Sequence, residues 1–189
     1  MTGSIRQQVI ISGVGGQGVL FVTRLLAEAA INKGLAVFTS ETHGMAQRGG
    51  TVLSHFKVGD FSSPLIRPAQ ADGLLALRAE NLAQHGAFLK DGGWVIANGS
   101  NDAKNDSSMP LDAVDADTLA QKIGNPKAVN LIVLGFALAM AEKKGQSQNT
   151  LFCSLVEIKI VLEDRFGKKN VMLKASLKAL EAGYNAKDK

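Results

Sequence analysis

Apolar positions change their period several times along this 189-residue chain, and each change marks a predicted element. Val9, Ile10 and Ile11 form a continuous apolar run that stops at Ser12-Gly13, the pattern of a strand buried on both faces within a parallel sheet. Val19, Val22, Leu25, Leu26, Ala29 and Ala30 then recur at helical spacing, with Arg24, Glu28 and Asn32 opposite and Gly34 as the stop. Leu35–Thr39 returns as a second short strand, which completes a Rossmann-like β-α-β unit whose crossover should be right-handed. Thr51–Val58 alternates, with Val52, Phe56 and Val58 on one side and His55 and Lys57 on the other. That alternation predicts a strand nearer an edge, ended by Gly59-Asp60.

Leu74–Leu77 and Trp94–Ala97 read as further strands, separated by a helix from Ala79 to about Leu89 and a turn at Gly92-Gly93. The polar stretch Asn98–Pro110 reads as a surface loop before a last strand at Leu111–Val114. A short helix is expected from Asp117 or Thr118 to Ile123, with Gln121 and Thr118 in a capping box and Gly124 and Pro126 as terminators. Leu131–Lys144 is apolar nearly all round before Glu142, as a helix buried against the sheet should be. A helix from near Thr150 places Leu151, Leu155, Ile158 and Leu162 on one face and ends at Gly167. A last one carries Leu173, Leu177, Leu180 and Tyr184. The expected fold is α/β over residues 1–189 as a single domain: a mostly parallel sheet flanked by helices, with the C-terminal helices packed on it.

Composition narrows the chemistry. With 46% hydrophobic and 20% charged residues, this is an ordinary globular composition. The net charge of +4 arises partly from scattered lysines near the C-terminus, and a single Trp and a single Tyr offer no aromatic platform, which argues against nucleic-acid binding. The longest uncharged apolar run, Leu131–Ala141, is too short to span a bilayer, so a cytoplasmic location without membrane contact is expected. One cysteine, Cys153, cannot form an intramolecular disulfide or ligate an iron-sulfur cluster alone. It lies on an apolar helical stripe and reads as core. His55 and His85 lack ligand spacing and read as strand or surface residues.

Two glycine-bearing loops carry the candidate chemistry. Gly13, Gly15, Gly16, Gln17 and Gly18 spell GVGGQG between a predicted strand and a predicted helix, the context in which free N–H groups and the helix dipole favour a phosphate or carboxylate. The plainer alternative is that these glycines only let the helix fold back tightly over the sheet. No lysine followed by Ser or Thr completes a nucleoside-triphosphate loop. The second loop, Glu41–Gly50, gathers Glu41, His43, Gln47 and Arg48 with the Gly49-Gly50 pair, more hydrogen-bonding side chains than a turn requires. In a wound α/β domain it should emerge at the same sheet edge as the first. Arg48 would clamp a carboxylate or phosphate, or else pair with Glu41; His43 would contact a partner or make a structural hydrogen bond. Glu41 also lies where a ribose-binding acid would follow the glycine fingerprint.

The blocks Gly13–Val19, Leu26–Ala30, Glu41–Gly59, Ser63–Ile66, Ala71–Leu77 and Gly92–Asn98, in this order, resemble the gamma-type subunit of 2-oxoacid:ferredoxin oxidoreductases. THGMAQRGG is most similar to the beta subunit of the indolepyruvate branch. The resemblance implies a component of a multisubunit enzyme that decarboxylates a 2-oxoacid, forms acyl-coenzyme A and passes electrons to ferredoxin. It also implies that thiamine diphosphate, its divalent metal and the iron-sulfur clusters reside in partner subunits, with coenzyme A held at a shared site. In that reading this chain binds no cofactor alone and carries no catalytic residue of its own. The competing expectations are a free-standing nicotinamide or flavin oxidoreductase using GVGGQG, and a scaffold without a ligand.

Overall fold

The continuous apolar run at Val9–Ile11 becomes the middle of a six-stranded sheet, as its lack of alternation demands. The computed structural model describes residues 5–43, 50–99, 111–145, 150–167 and 170–188. In chain order these are strand β1 (Gln7–Val14), helix α1 (Val19–Asn32), β2 (Val37–His43), β3 (Thr51–Val58), β4 (Ala71–Ala76), α2 (Asn81–His85), β5 (Leu89–Asn98), β6 (Leu111–Val114), α3 (Ala116–Lys122), α4 (Val129–Lys143), α5 (Leu155–Phe166) and α6 (Val171–Tyr184). The strand order is β2-β3-β1-β4-β5-β6.

The sheet is mixed. β1, β4, β5 and β6 pair in parallel, whereas β3 runs antiparallel between β1 and β2. The expected β1-α1-β2 unit is present, with β2 parallel to β1, but β3 is inserted between them. β3 is therefore interior, one strand from the edge, and seven of its eight residues, including His55 and Lys57, are buried. The true edge is β2, whose Phe38, Thr39, Glu41 and Thr42 are exposed. Alternation in β3 marks two chemically different faces, both covered.

Five further expectations are corrected. β2 extends to His43, so Glu41 and His43 lie in the edge strand and not in a loop. The Ala79–Leu89 helix shrinks to α2 followed by a 3-10 turn at Gly86–Phe88. Gly92-Gly93 sits within β5, where the register against β4 jumps between Ala71↔Leu89 and Gly73↔Trp94. Asp115, not Thr118, caps α3 by accepting the Thr118 N–H at 2.9 Å. α5 begins at Leu155 rather than near Thr150, because Ser154 and Glu157 form a reciprocal capping box.

Helices α1, α4, α5 and α6 share one core with Val9, Ile11, Phe56, Leu75 and Ile96 of the sheet. The opposite face, with Ile10, Leu53, Leu74 and Val95, is smaller and is met by Ile66, Leu82 and Phe88. Thus the C-terminal helices do pack on the sheet, but the long helices lie on one face. α4 is buried along nearly its whole length, in keeping with its uninterrupted apolar sequence. It meets α6 backbone to backbone: a Cβ on Gly135 would sit 2.0 Å from the Leu180 carbonyl oxygen, and one on Gly183 would sit 1.9 Å from that of Ile132.

In a free helix Gly→Ala gains about 1 kcal/mol. At this crossing Gly183→Ala should instead destabilise by about 1–3 kcal/mol, the usual cost of overpacking. Urea unfolding of the variant measures this, and stability equal to or above wild type would show that the helices are not in backbone contact.

Candidate functional site

The turn after β1 takes its shape from local hydrogen bonds before any ligand is considered. Gln17 donates its N–H to the Val14 carbonyl at 3.1 Å, and its side-chain Oε1 accepts the Val14 N–H at 2.9 Å. Gly16 and Gly18 have positive φ of 87° and 80°, the left-handed region that favours glycine. Gly18 then caps α1 with its carbonyl, which accepts from Phe21 and Val22. The N–H groups of Gly16, Gly18, Val19 and Leu20 donate to no described residue, which leaves a run of unpaired donors at a helix N-terminus.

Two of these glycines are consumed by packing. A Cβ on Gly13 would lie 2.8 Å from Val19 Cγ2, and one on Gly18 would lie 2.2 Å from Asn130 Nδ2 of α4. The close approach at Gly18 is thus made by Asn130, whose amide faces the Gly18 carbonyl at 3.4 Å while its Oδ1 accepts the Leu131 N–H at 2.9 Å. Gly15 differs: a Cβ there would meet only the Gly50 oxygen, at 3.9 Å. Its N–H donates to that same Gly50 oxygen at 3.1 Å. This bond joins the two glycine-bearing segments at one end of the sheet, as their order in the chain predicted.

Of the second segment, Glu41 is exposed on β2 and lies in register with Ser54, and His43 is in register with Val52. Gln47, Arg48 and Gly49 lie outside the described residues. Gly50 is described and half-buried.

Beside this edge stands a polar cluster that sequence reading did not assemble. Ser12, fully buried near the end of β1, lies 2.8 Å through Oγ from His85 Nδ1, and Asn81 Nδ2 donates to the same Oγ at 2.9 Å. With Asn81 donating to Ser12, we assign the Ser12 hydrogen to His85 Nδ1 and the ring proton to Nε2. Thr51 donates to Gln84 Oε1 at 3.1 Å, fastening α2 to β3 as well. His55 is buried, accepts the Ile66 N–H on Nδ1 at 3.2 Å, and meets the Phe88 ring edge-on. His85 approaches the same ring, so two residues read from sequence as unconnected share one aromatic neighbour. Burial lowers the pKa of both; for His55 the positive Lys57 and then His85 lower it further.

Other reactive groups are quiet. Cys153 is buried, and burial, aided by the negative Glu157, pushes its thiol pKa far above the ordinary range, so it is core and no nucleophile. Among the described residues no group of three His, Cys, Asp or Glu is placed to hold a metal ion. No described helix is long and apolar enough to cross a membrane.

A family model described as pyruvate ferredoxin/flavodoxin oxidoreductase matches residues 8–186. The indolepyruvate oxidoreductase subunit IorB of Archaeoglobus fulgidus is 33% identical over 201 aligned residues, covering 96% of this chain and 95% of its own. Among solved structures, the gamma subunit of a keto/oxoacid ferredoxin oxidoreductase from Geobacter sulfurreducens superposes with a TM-score of 0.74 at 24% identity, covering 96% of this chain and 98% of that one. The 2-oxoglutarate:ferredoxin oxidoreductase of Magnetococcus marinus, solved with 2-oxoglutarate, coenzyme A and succinyl-CoA bound, also reaches 0.74 at 22% identity. There the match covers 97% of this chain and 31% of the other.

The two histidines generate a pH dependence of stability. Their folded pKa values lie below the ordinary 6.5, so the unfolded chain binds more protons as pH falls. Their contribution is intact above that value and is lost as pH drops through it toward the folded pKa. The melting temperature should therefore fall between pH about 7.5 and about 5.5, and a His55→Gln/His85→Gln variant should show a shallower fall. An unaltered slope in that variant would remove the histidines as its source.

Proposed function

This chain belongs to the pyruvate ferredoxin/flavodoxin oxidoreductase family, and from that premise we propose that the whole of residues 1–189 acts as one gamma-type domain, a subunit of a cytoplasmic 2-oxoacid:ferredoxin oxidoreductase. The carrying observation is end-to-end correspondence with an indolepyruvate oxidoreductase subunit, 95% of which is matched, so the indolepyruvate branch is the favoured one. The reaction of the assembly is oxidative decarboxylation of a 2-oxoacid to an acyl-coenzyme A, with electrons passed to ferredoxin.

The donor set argues for a divided enzyme. One buried thiol cannot ligate a cluster, and the described carboxylates and imidazoles do not converge. Thiamine diphosphate, its divalent metal and the iron-sulfur clusters are accordingly assigned to partner subunits. This chain supplies an interface and one wall of the site for the oxoacid or coenzyme A. The unpaired N–H groups of Gly16, Gly18, Val19 and Leu20 suit an anionic portion of such a ligand. Gly13, Gly15 and Gln17 hold the turn, and Gly50 ties it to the second segment. Arg48 is proposed as a bidentate clamp, with Glu41, His43, Gln47 and Gly49 on the same wall.

The free-standing dehydrogenase reading gains no support. Asn130 occupies the approach to Gly18, and the relatives are subunits of complexes. Isolation of the native complex is the test: the chain should co-purify with a brown, thiamine-dependent partner and be inactive alone. An isolated chain that reduces nicotinamide or flavin would overturn the assignment. In the assembled complex Arg48→Ala should lower kcat/KM for oxoacid or coenzyme A at least tenfold; unchanged assembly together with unchanged kinetics would remove Arg48 from the site.

A further inference from the structure

At the other end of β1 the sheet carries a concentration of positive charge for which the family reading supplies no use. Lys57 of β3 faces away from the large helices and is only 6% exposed. It stands in register with Gln8 of β1. Its neighbours are cations as well: burial lowers its pKa, and Arg6 and Arg67 lower it further. Among the described residues none of the three forms an ion pair with a carboxylate. Buried or crowded cations without counter-charges are costly unless something else neutralises them.

These side chains surround a cavity of about 620 Å³, within the range of small-molecule sites. Its wall is completed by Phe61 and by Ser62 and Ser63, the latter opening the SPLI block singled out in the sequence. Phe61 organises the charge: the Arg6 guanidinium lies 4.1 Å and the Lys57 ammonium 5.0 Å from its ring centroid. Arg6 is further held by donating Nε to the Asp60 carbonyl at 3.1 Å. Three cations therefore face one lining carboxylate, that of Asp60.

We propose that this cavity is a binding site for a diphosphate-bearing small molecule, with Arg6, Lys57 and Arg67 as the charged contacts and Ser62 and Ser63 as hydroxyl donors. Arginine forks match phosphate oxygens, and a recessed lysine adds a point charge. The site is separate from the glycine turn: β1 runs between them, and Gln8 to Val14 spans about 20 Å at the rise of an extended strand. The inference rests on the cavity alone and does not require the family reading.

The test is calorimetric titration of the purified chain with pyrophosphate and ADP. Saturable binding of at least one is expected, weakened about tenfold or more by Arg67→Ala, an exposed position whose loss should leave the fold intact, and left unchanged by Arg24→Ala, an exposed cation of α1 outside the cavity. Equal affinities would assign the site to the diphosphate itself, and tighter ADP to a nucleotide; either supports the proposal. No binding by folded wild-type chain would overturn it, as would binding insensitive to Arg67→Ala or lost with Arg24→Ala. A hexaglutamate peptide binding more tightly than both would also overturn it, giving the cavity to an acidic protein segment. Co-purification with partner subunits is read separately, so failure here leaves the subunit assignment standing.

Discussion

Backbone-to-backbone contact at helix α4 is the constraint on which the rest of the structure depends. α6 can lie against it only because Gly135 and Gly183 carry no side chains where the helices cross. On the other side, Asn130 from the first turn of α4 fills the space a Cβ would take at Gly18. One helix thus sets both the position of the C-terminal layer and the shape of the glycine turn. The ion pairs around this arrangement, Lys33 with Glu157 and Arg165 with Glu28, are partly exposed and contribute little by comparison. Close packing, not charge, holds α1, α4, α5 and α6 to the sheet.

The two faces of that sheet have different chemistry because β1 and β3 alternate. Val9, Ile11 and Phe56 point into the large apolar core. Ser12, His55 and Lys57 point the other way, where α2 and the segment after β3 cover them with hydrogen bonds and aromatic edges. Polar groups accumulate on the thinner face, and the two ends of the sheet differ: free backbone donors near the glycine turn, and cations near the start of β1. A subunit whose chemistry is completed by partners would have its useful surfaces at such places.

Much of the fold was legible. Unbroken apolar runs marked interior strands, helical spacing marked α1, α4 and α6, and the expected mostly parallel direction holds for every strand but β3. What escaped reading depends on pairing between distant segments. Alternation in β3 looked like half-exposure because sequence does not reveal that a strand, β2, will lie outside it. The Gly92-Gly93 pair looked like a turn, yet β4 alongside keeps the chain extended and turns it into an irregularity of register. The Ser154-Glu157 capping box is readable in the sequence, and it, not the apolar stripe that begins earlier, sets the start of α5.

The same division runs through the candidate site. Sequence alone determined that GVGGQG would form a tight strand-to-helix turn, because the glycines permit conformations and approaches that other residues resist, and that a second glycine segment would reach the same edge. Only the tertiary structure decided which glycines are spent on packing, since Asn130 meets Gly18 across 112 positions of chain. It alone also brought Ser12, Asn81 and His85 together and enclosed Lys57 with Arg6 and Arg67. Local conformation follows from each residue's own sterics, whereas burial and charge environment belong to neighbours that folding supplies.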